Sequence, residues 1–149
     1  MHLEWHWTTR SPEETIALAQ KIGAKLCPGD CIAYRGDLGA GKTTFTRGLA
    51  IGLGLPDCVT SPTFALVHEY GDPARLIHFD MYRIADETEL ETTGFYDYPR
   101  NECIFAIEWS ENIDAALPGN TMFLTLERTG DEERYITLTG DERFADIGT

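Results

Sequence analysis

The chain has 149 residues, 42% of them apolar, and a formal charge of −13. That size and apolar share suit a single domain over residues 1–149 with its own core, and they exclude a disordered chain. No stretch is long and apolar enough to cross a membrane, and so acidic a surface repels bare nucleic acid.

The first residues, Met1-His2-Leu3-Glu4-Trp5, lack the basic and apolar blocks of a signal peptide, so a cytoplasmic setting is the expectation. Trp5-His6-Trp7-Thr8 reads as a short opening strand. Ser11-Pro12-Glu13-Glu14 is a helix start, with a capping hydroxyl, proline at the first helical position and acids in the first turn. Ile16, Leu18, Ala19, Ile22 and Leu26 follow at helical spacing, and Pro28-Gly29 is the expected stop. Cys31 to Tyr34 is a short apolar run and reads as a buried strand. A glycine-rich loop comes next, then a helix from Lys42 to about Leu53.

Phe64 to Tyr70 and Arg75 to Phe79 read as strands joined by a Gly71-Asp72-Pro73 turn, and Asp86 to about Thr93 as a helix. Cys103 to Ile107 is a continuous apolar run, the pattern of a central strand covered on both faces. Thr121 to Leu126 and Arg134 to Leu138 alternate and predict a closing antiparallel hairpin across Gly130-Asp131. The polar last residues are expected to fray. The sum is an α/β sandwich with a small mixed sheet. The four cysteines (Cys27, Cys31, Cys58, Cys103) form no zinc spacing and read as small, mostly buried side chains.

Residues 36–43 read Gly36-Asp37-Leu38-Gly39-Ala40-Gly41-Lys42-Thr43, a full G-x-x-x-x-G-K-T phosphate loop. The glycines let backbone N–H groups turn toward phosphate oxygens, and the helix running on through Thr44 aims its positive end at the same place. Lys42 adds a full charge toward the β- and γ-phosphates, and the Thr43 hydroxyl suits Mg²⁺. The ligands this predicts are ATP and Mg²⁺. Such a loop needs an acid at the end of a neighbouring strand. Asp80 follows Leu76-Ile77-His78-Phe79, and Glu108 follows the 103–107 run. Either could hold the metal, directly or through water, and either could orient the attacking water. Thr60-Ser61-Pro62-Thr63 lies where a γ-phosphate sensor loop belongs, and hydroxyls such as those of Ser61 and Thr63 could reach the phosphate or the metal; the alternative is a polar turn. Trp109 reads equally as a stacking residue or a core one. His78 reads first as a structural residue.

Charge is unevenly spread. Residues 1–50 hold 6 Lys or Arg against 5 Asp or Glu, and residues 51–149 hold 6 against 20, a net of −14. If RNA is involved, a more basic partner should hold most of it; the acidic half reads equally as an aid to solubility or as an acidic docking surface.

These motifs together resemble the TsaE (YjeE) family, the ATPase subunits of bacterial tRNA threonylcarbamoyladenosine synthesis. The matching segments are Gly36 to Phe45, Thr60-Ser61-Pro62-Thr63-Phe64-Ala65-Leu66-Val67, His78-Phe79-Asp80-Met81-Tyr82-Arg83 and Ile107-Glu108-Trp109, in family order. The resemblance implies a P-loop NTPase-like three-layer fold with a mixed, mostly parallel sheet. It implies that Thr43 and Glu108 serve the metal, with Asp80 in the same site. It implies that Thr9, Ser11, Trp109 and Arg134 approach the adenosine side. It also implies two partner proteins: TsaB, and TsaD, which transfers threonylcarbamoyl to an adenosine next to the anticodon. The ATPase would reset that assembly between turnovers and meet tRNA only through it, away from any membrane. Two rivals remain at this level. A small-molecule kinase would need lid arginines, and only Arg75, Arg83 and Arg100 lie mid-chain. A nucleotide switch without hydrolysis is the other. Guanine is disfavoured as the base, because the chain has no N-K-x-D segment.

Overall fold

The computed structural model describes residues 3–36, 41–56, 59–60, 67–71, 75–80, 95–108 and 117–147; at 36, 42, 43, 59, 60 and 95 it describes the backbone alone. The strands are β1 (Leu3–Thr9), β2 (Cys31–Gly36), β3 (Val59–Thr60), β4 (Val67–Tyr70), β5 (Leu76–Asp80), β6 (Ile104–Glu108), β7 (Met122–Arg128) and β8 (Arg134–Gly140). The helices are α1 (Pro12–Gly23) and α2 (Lys42–Gly52), with 3-10 turns at Phe95–Asp97 and Glu142–Ile147. The expected turn at 71–73, the helix at 86–93 and the first residues of the 64–70 strand lie wholly or partly outside the described residues.

One eight-stranded sheet runs in the order β1-β8-β7-β2-β6-β5-β4-β3. Its centre is parallel: β7 with β2, β2 with β6, and β6 with β5. Its flanks, β1-β8-β7 and β5-β4-β3, are antiparallel. The expected mixed α/β sheet is therefore present, with the parallel pairs gathered in the middle. The β7–β8 hairpin is the one predicted from alternation, and the two-residue β3 is too short to leave a pattern in the sequence.

Ser11 caps α1 as its residue type predicts: Glu14 N–H donates to Ser11 Oγ at 3.1 Å, and Pro12 opens the helix. α1 stops at Gly23, earlier than Pro28-Gly29, yet Leu26 is still buried beyond the helix end. α1 and α2 approach so closely that a Cβ on Gly23 would sit 2.3 Å from Leu49 O, and one on Gly52 2.1 Å from Gln20 O. Those two positions exclude side chains because backbone lies against them. Ile22, Phe45 and Leu49 pack over Ile32, Tyr34, Ile104, Ala106, Leu124 and Leu138 in the main core. The opposite face of the central strands is closed too, since Ile77, Phe79, Phe105 and Ile107 are buried. Strands covered on both sides are what continuous apolar runs predict.

Cys31 and Cys103 are buried, as expected, and burial pushes the Cys31 thiol up to about 11. Cys27 is exposed, while Cys58 lies outside the described residues. Among the described residues no helix is long and apolar enough to cross a membrane.

As far as Ile147 the carboxyl end is folded rather than frayed, and the final two residues lie outside the described ones. Its 3-10 turn buries Phe144, worth about 1.5–3 kcal/mol. Arg143 Nη1 donates to Asp30 Oδ2 at 2.6 Å, and its Nη2 to Asp141 Oδ2 at 2.7 Å. The Trp5 indole donates to the Asp141 carbonyl at 2.9 Å. Hydrogen bonding from Arg143 holds the Asp141 carboxyl below the usual aspartate range. A carboxyl depressed in the folded state contributes stability above its unfolded value and loses it as pH falls through the folded one. The contribution is thus present at neutral pH and fades below about pH 4. Arg143→Met is expected to lower stability by about 1–3 kcal/mol at pH 7. Urea unfolding at pH 7 and pH 3 should show the gap between variant and parent narrowing in acid.

Candidate functional site at the carboxyl ends of the parallel strands

β2, β6 and β5 lie side by side and parallel, so their carboxyl ends share one edge of the sheet. Asp80 ends β5, Glu108 ends β6, and the two are direct register partners. Side chains alternate along a strand, so His78 and Asp80 share a face, as do their partners Ala106 and Glu108. Ala106 belongs to the core packed by Phe45 and Leu49, which places both carboxylates on the α2 side of the sheet. β2 ends at this same edge at Gly36, and α2 is the next helix in the chain.

α2 opens on Gly41, whose φ of 99° lies in the left-handed region that glycine enters without a Cβ penalty. The Phe45 N–H reaches the Gly41 carbonyl at 2.8 Å. No side chain caps this end. The first N–H groups of a helix have no partner inside it, and together with the helix dipole they favour an anion. α1 contrasts with it, since its equivalent end carries the Ser11 cap.

Glu108 is mostly buried, with its side chain 14% exposed, and its Oε2 accepts a 2.7 Å bond from His78 Nε2. His78 is itself 1% exposed. Behind it lies Tyr34, fully buried, whose hydroxyl shares a 2.6 Å bond with Thr46 Oγ1 of α2. Burial pushes the Tyr34 phenol far above its ordinary value, so it stays a neutral partner.

Beside the start of α2 lies a cavity of about 170 Å³ lined by Pro12, Thr15, Gly41, Thr44, Asp131, Glu132 and Arg134. Arg134 opens β8, pairs in register with Thr9, and donates to the Glu133 carbonyl at 2.9 Å. The Thr9 hydroxyl is buried and shares a 2.6 Å bond with Thr15 Oγ1. The Ser11 hydroxyl is engaged as a helix cap.

Of the residues singled out in the sequence, Gly41, Thr44 and Arg134 therefore meet at one cavity, and Asp80 and Glu108 meet at the strand ends. Thr9 and Ser11 flank the cavity through Thr15 and Pro12, with their own hydroxyls engaged elsewhere. Lys42 and Thr43 occupy the first positions of α2. Asp37, Leu38, Gly39, Ala40, Ser61, Thr63 and Trp109 lie outside the described residues. Thr15, Asp131, Glu132 and Thr46 are additions that sequence reading missed. Thr15 and Thr46 look like ordinary helical residues, and the two acids only like a hairpin turn. His78 did carry a signal, a polar ring two residues before Asp80 on the same face of an apolar strand.

A mixed sheet with a parallel centre, an uncapped glycine-entered helix and two strand-end carboxylates define an α/β protein with a candidate site at the carboxyl ends of its strands. The chain belongs to the TsaE family: the model for "Threonylcarbamoyl adenosine biosynthesis protein TsaE" matches residues 9–136. It is 44% identical over 134 residues to the tRNA threonylcarbamoyladenosine biosynthesis protein TsaE of Bacillus subtilis, covering 89% of this chain and 84% of that one. It is 46% identical over 108 residues to the Haemophilus influenzae protein of the same name, covering 72% and 68%. Among solved structures it is similar to Bacillus subtilis YdiB, with a TM-score of 0.74 and 37% identity over 97% of this chain and 91% of that one. Family membership gives the chain a role in threonylcarbamoyladenosine biosynthesis.

Proposed function

We propose that the chain binds ATP with Mg²⁺ and hydrolyses it as the ATPase subunit of threonylcarbamoyladenosine synthesis. It would work in the cytoplasm with TsaB and TsaD, resetting their complex between turnovers and reaching tRNA only through it. The observation that carries this reading is the in-register pair Asp80 and Glu108 on the face that bears the uncapped start of α2. In it, the backbone of Asp37 to Thr44 cradles the phosphates and Lys42 offsets the charge of the terminal ones. Thr43, Asp80 and Glu108 serve the metal. Ser61 and Thr63 sense the γ-phosphate. Trp109, Arg134 and the Thr9–Ser11 segment bound the adenosine side.

The donor chemistry fits magnesium. Mg²⁺ takes oxygen ligands and is held by one or two carboxylates plus substrate phosphates rather than by a closed protein cage. Among the described residues no cluster of three or more acidic, histidine or cysteine side chains forms such a cage. When bound, the ion supplies charge that bridges and stabilises the phosphate oxygens. The protein's share is to hold a carboxylate still and to orient a water.

The acidic balance of residues 51–149 supports leaving RNA to the partners. Phosphate release should be measured with the chain alone, with TsaB and TsaD, and with tRNA added. Stimulation of about tenfold or more by the complex is expected where a partner completes the site. Equal rates in all three mixtures would overturn the resetting role.

A further inference from the structure

We infer that His78 is a positioning residue: through Nε2 it holds one oxygen of Glu108, leaving the other oxygen aimed at the strand-end site. The inference rests on the role of Glu108 proposed above. A polar ring in an apolar strand is costly unless its nitrogens are bonded. His78 Nε2 donates to Glu108 Oε2 at 2.7 Å, while Nδ1 is buried and has no hydrogen-bond partner among the described residues. An apolar side chain of similar volume would remove that unpaired atom, so core packing alone does not account for the histidine.

The ring is also walled on two sides. The Tyr34 ring meets it edge-on, with centroids 6.2 Å apart at 78°. His68, its register partner on β4, lies 5.5 Å away at 36°. Tyr34 is tied in turn to Thr46 of α2. The imidazole plane is therefore set by packing, and with it the direction of the Nε2 proton. A glutamate with a free carboxylate could rotate about its last torsion; one oxygen tethered at 2.7 Å restricts that rotation. Groups that orient a ligand in this way matter nearly as much as the ligand itself.

The test compares His78→Gln, His78→Asn and His78→Leu. Glutamine places its amide nitrogen where Nε2 lies; asparagine is one bond too short but equally polar. A purely structural role would treat the two amides alike. With the partner complex present, hydrolysis per bound ATP is expected to fall about 10–100-fold in the Leu and Asn variants, while Gln keeps most of the parent rate. Equal losses in Asn and Gln, or a full rate in Leu, would overturn the inference. Imidazole ¹⁵N NMR of the parent without nucleotide supplies a second readout that needs neither folding of a variant nor ATPase activity. It should show a solvent-protected proton on His78 Nε2. A proton on Nδ1 instead, or one exchanging freely with water, would also overturn it. If the parent itself fails to bind ATP, the site reading fails, and the NMR result still decides the His78–Glu108 bond.

Discussion

Replacing Lys42 with alanine is expected to weaken ATP binding about 30- to 1000-fold, equivalent to about 2–4 kcal/mol, with little change in melting temperature. Several positive elements converge on a triphosphate in the proposed site, and their sizes differ. A helix N-terminus offers about half an elementary charge, and its attraction for an anion is typically about 0.3–1 kcal/mol. The left-handed turn at Gly41 and the uncapped first turn of α2 supply that term through backbone alone. An ammonium brings a whole charge and three donors, and losing it leaves phosphate charge uncompensated. The N-cap of α2 is Gly41 rather than Lys42, and alanine is a strong helix former, so stability should hold. Calorimetric titration with ATP at fixed Mg²⁺, beside a melting curve, separates the two effects. A Lys42→Ala variant that binds ATP like the parent would remove the phosphate loop from the account.

What the sequence reveals and hides follows from the range of the forces involved. β2, β5 and β6 are legible because each carries an apolar run that stops abruptly, before Arg35, Asp80 and Glu108. The start of α1 is legible because its cap is chemistry between near neighbours, Ser11 and Glu14. The meeting of Asp80 with Glu108 is not legible. It depends on β5 and β6 pairing in parallel at one particular register, across a separation of 28 residues. The carboxyl turn misleads for a related reason. Its run Asp141-Glu142-Arg143-Phe144-Ala145-Asp146 looks solvated, and only the fold brings Asp30 within 2.6 Å of Arg143. The engaged hydroxyls of Thr9 and Ser11 make the same point, since a side chain's type does not say which neighbour claims it. The family resemblance bridges that gap by assigning roles to residues whose partners lie far along the chain.

Glu108 offers the sharpest separation of chemistry from stability. Glu108→Ala is expected to reduce hydrolysis about 10²–10⁴-fold while ATP binding survives, because the phosphate cradle does not include this side chain. The same change strips His78 Nε2 of its acceptor inside the core and should cost about 1–3 kcal/mol of stability, read as a lower urea midpoint. Glu108→Gln splits the two effects. The amide oxygen still accepts from Nε2, so the urea midpoint should return close to the parent's. The negative charge is gone, so hydrolysis should stay low whether the carboxylate ligates magnesium or orients water. The Mg²⁺ dependence of ATP binding then distinguishes those roles. A higher Mg²⁺ requirement in the Gln variant marks a metal ligand, whereas an unchanged requirement with a lost rate marks a water-orienting base. Asp80→Asn, tested in the same way, should give the complementary result if the two in-register carboxylates divide the work. A Glu108→Gln variant that hydrolyses ATP at the parent rate would remove both carboxylate roles from this position.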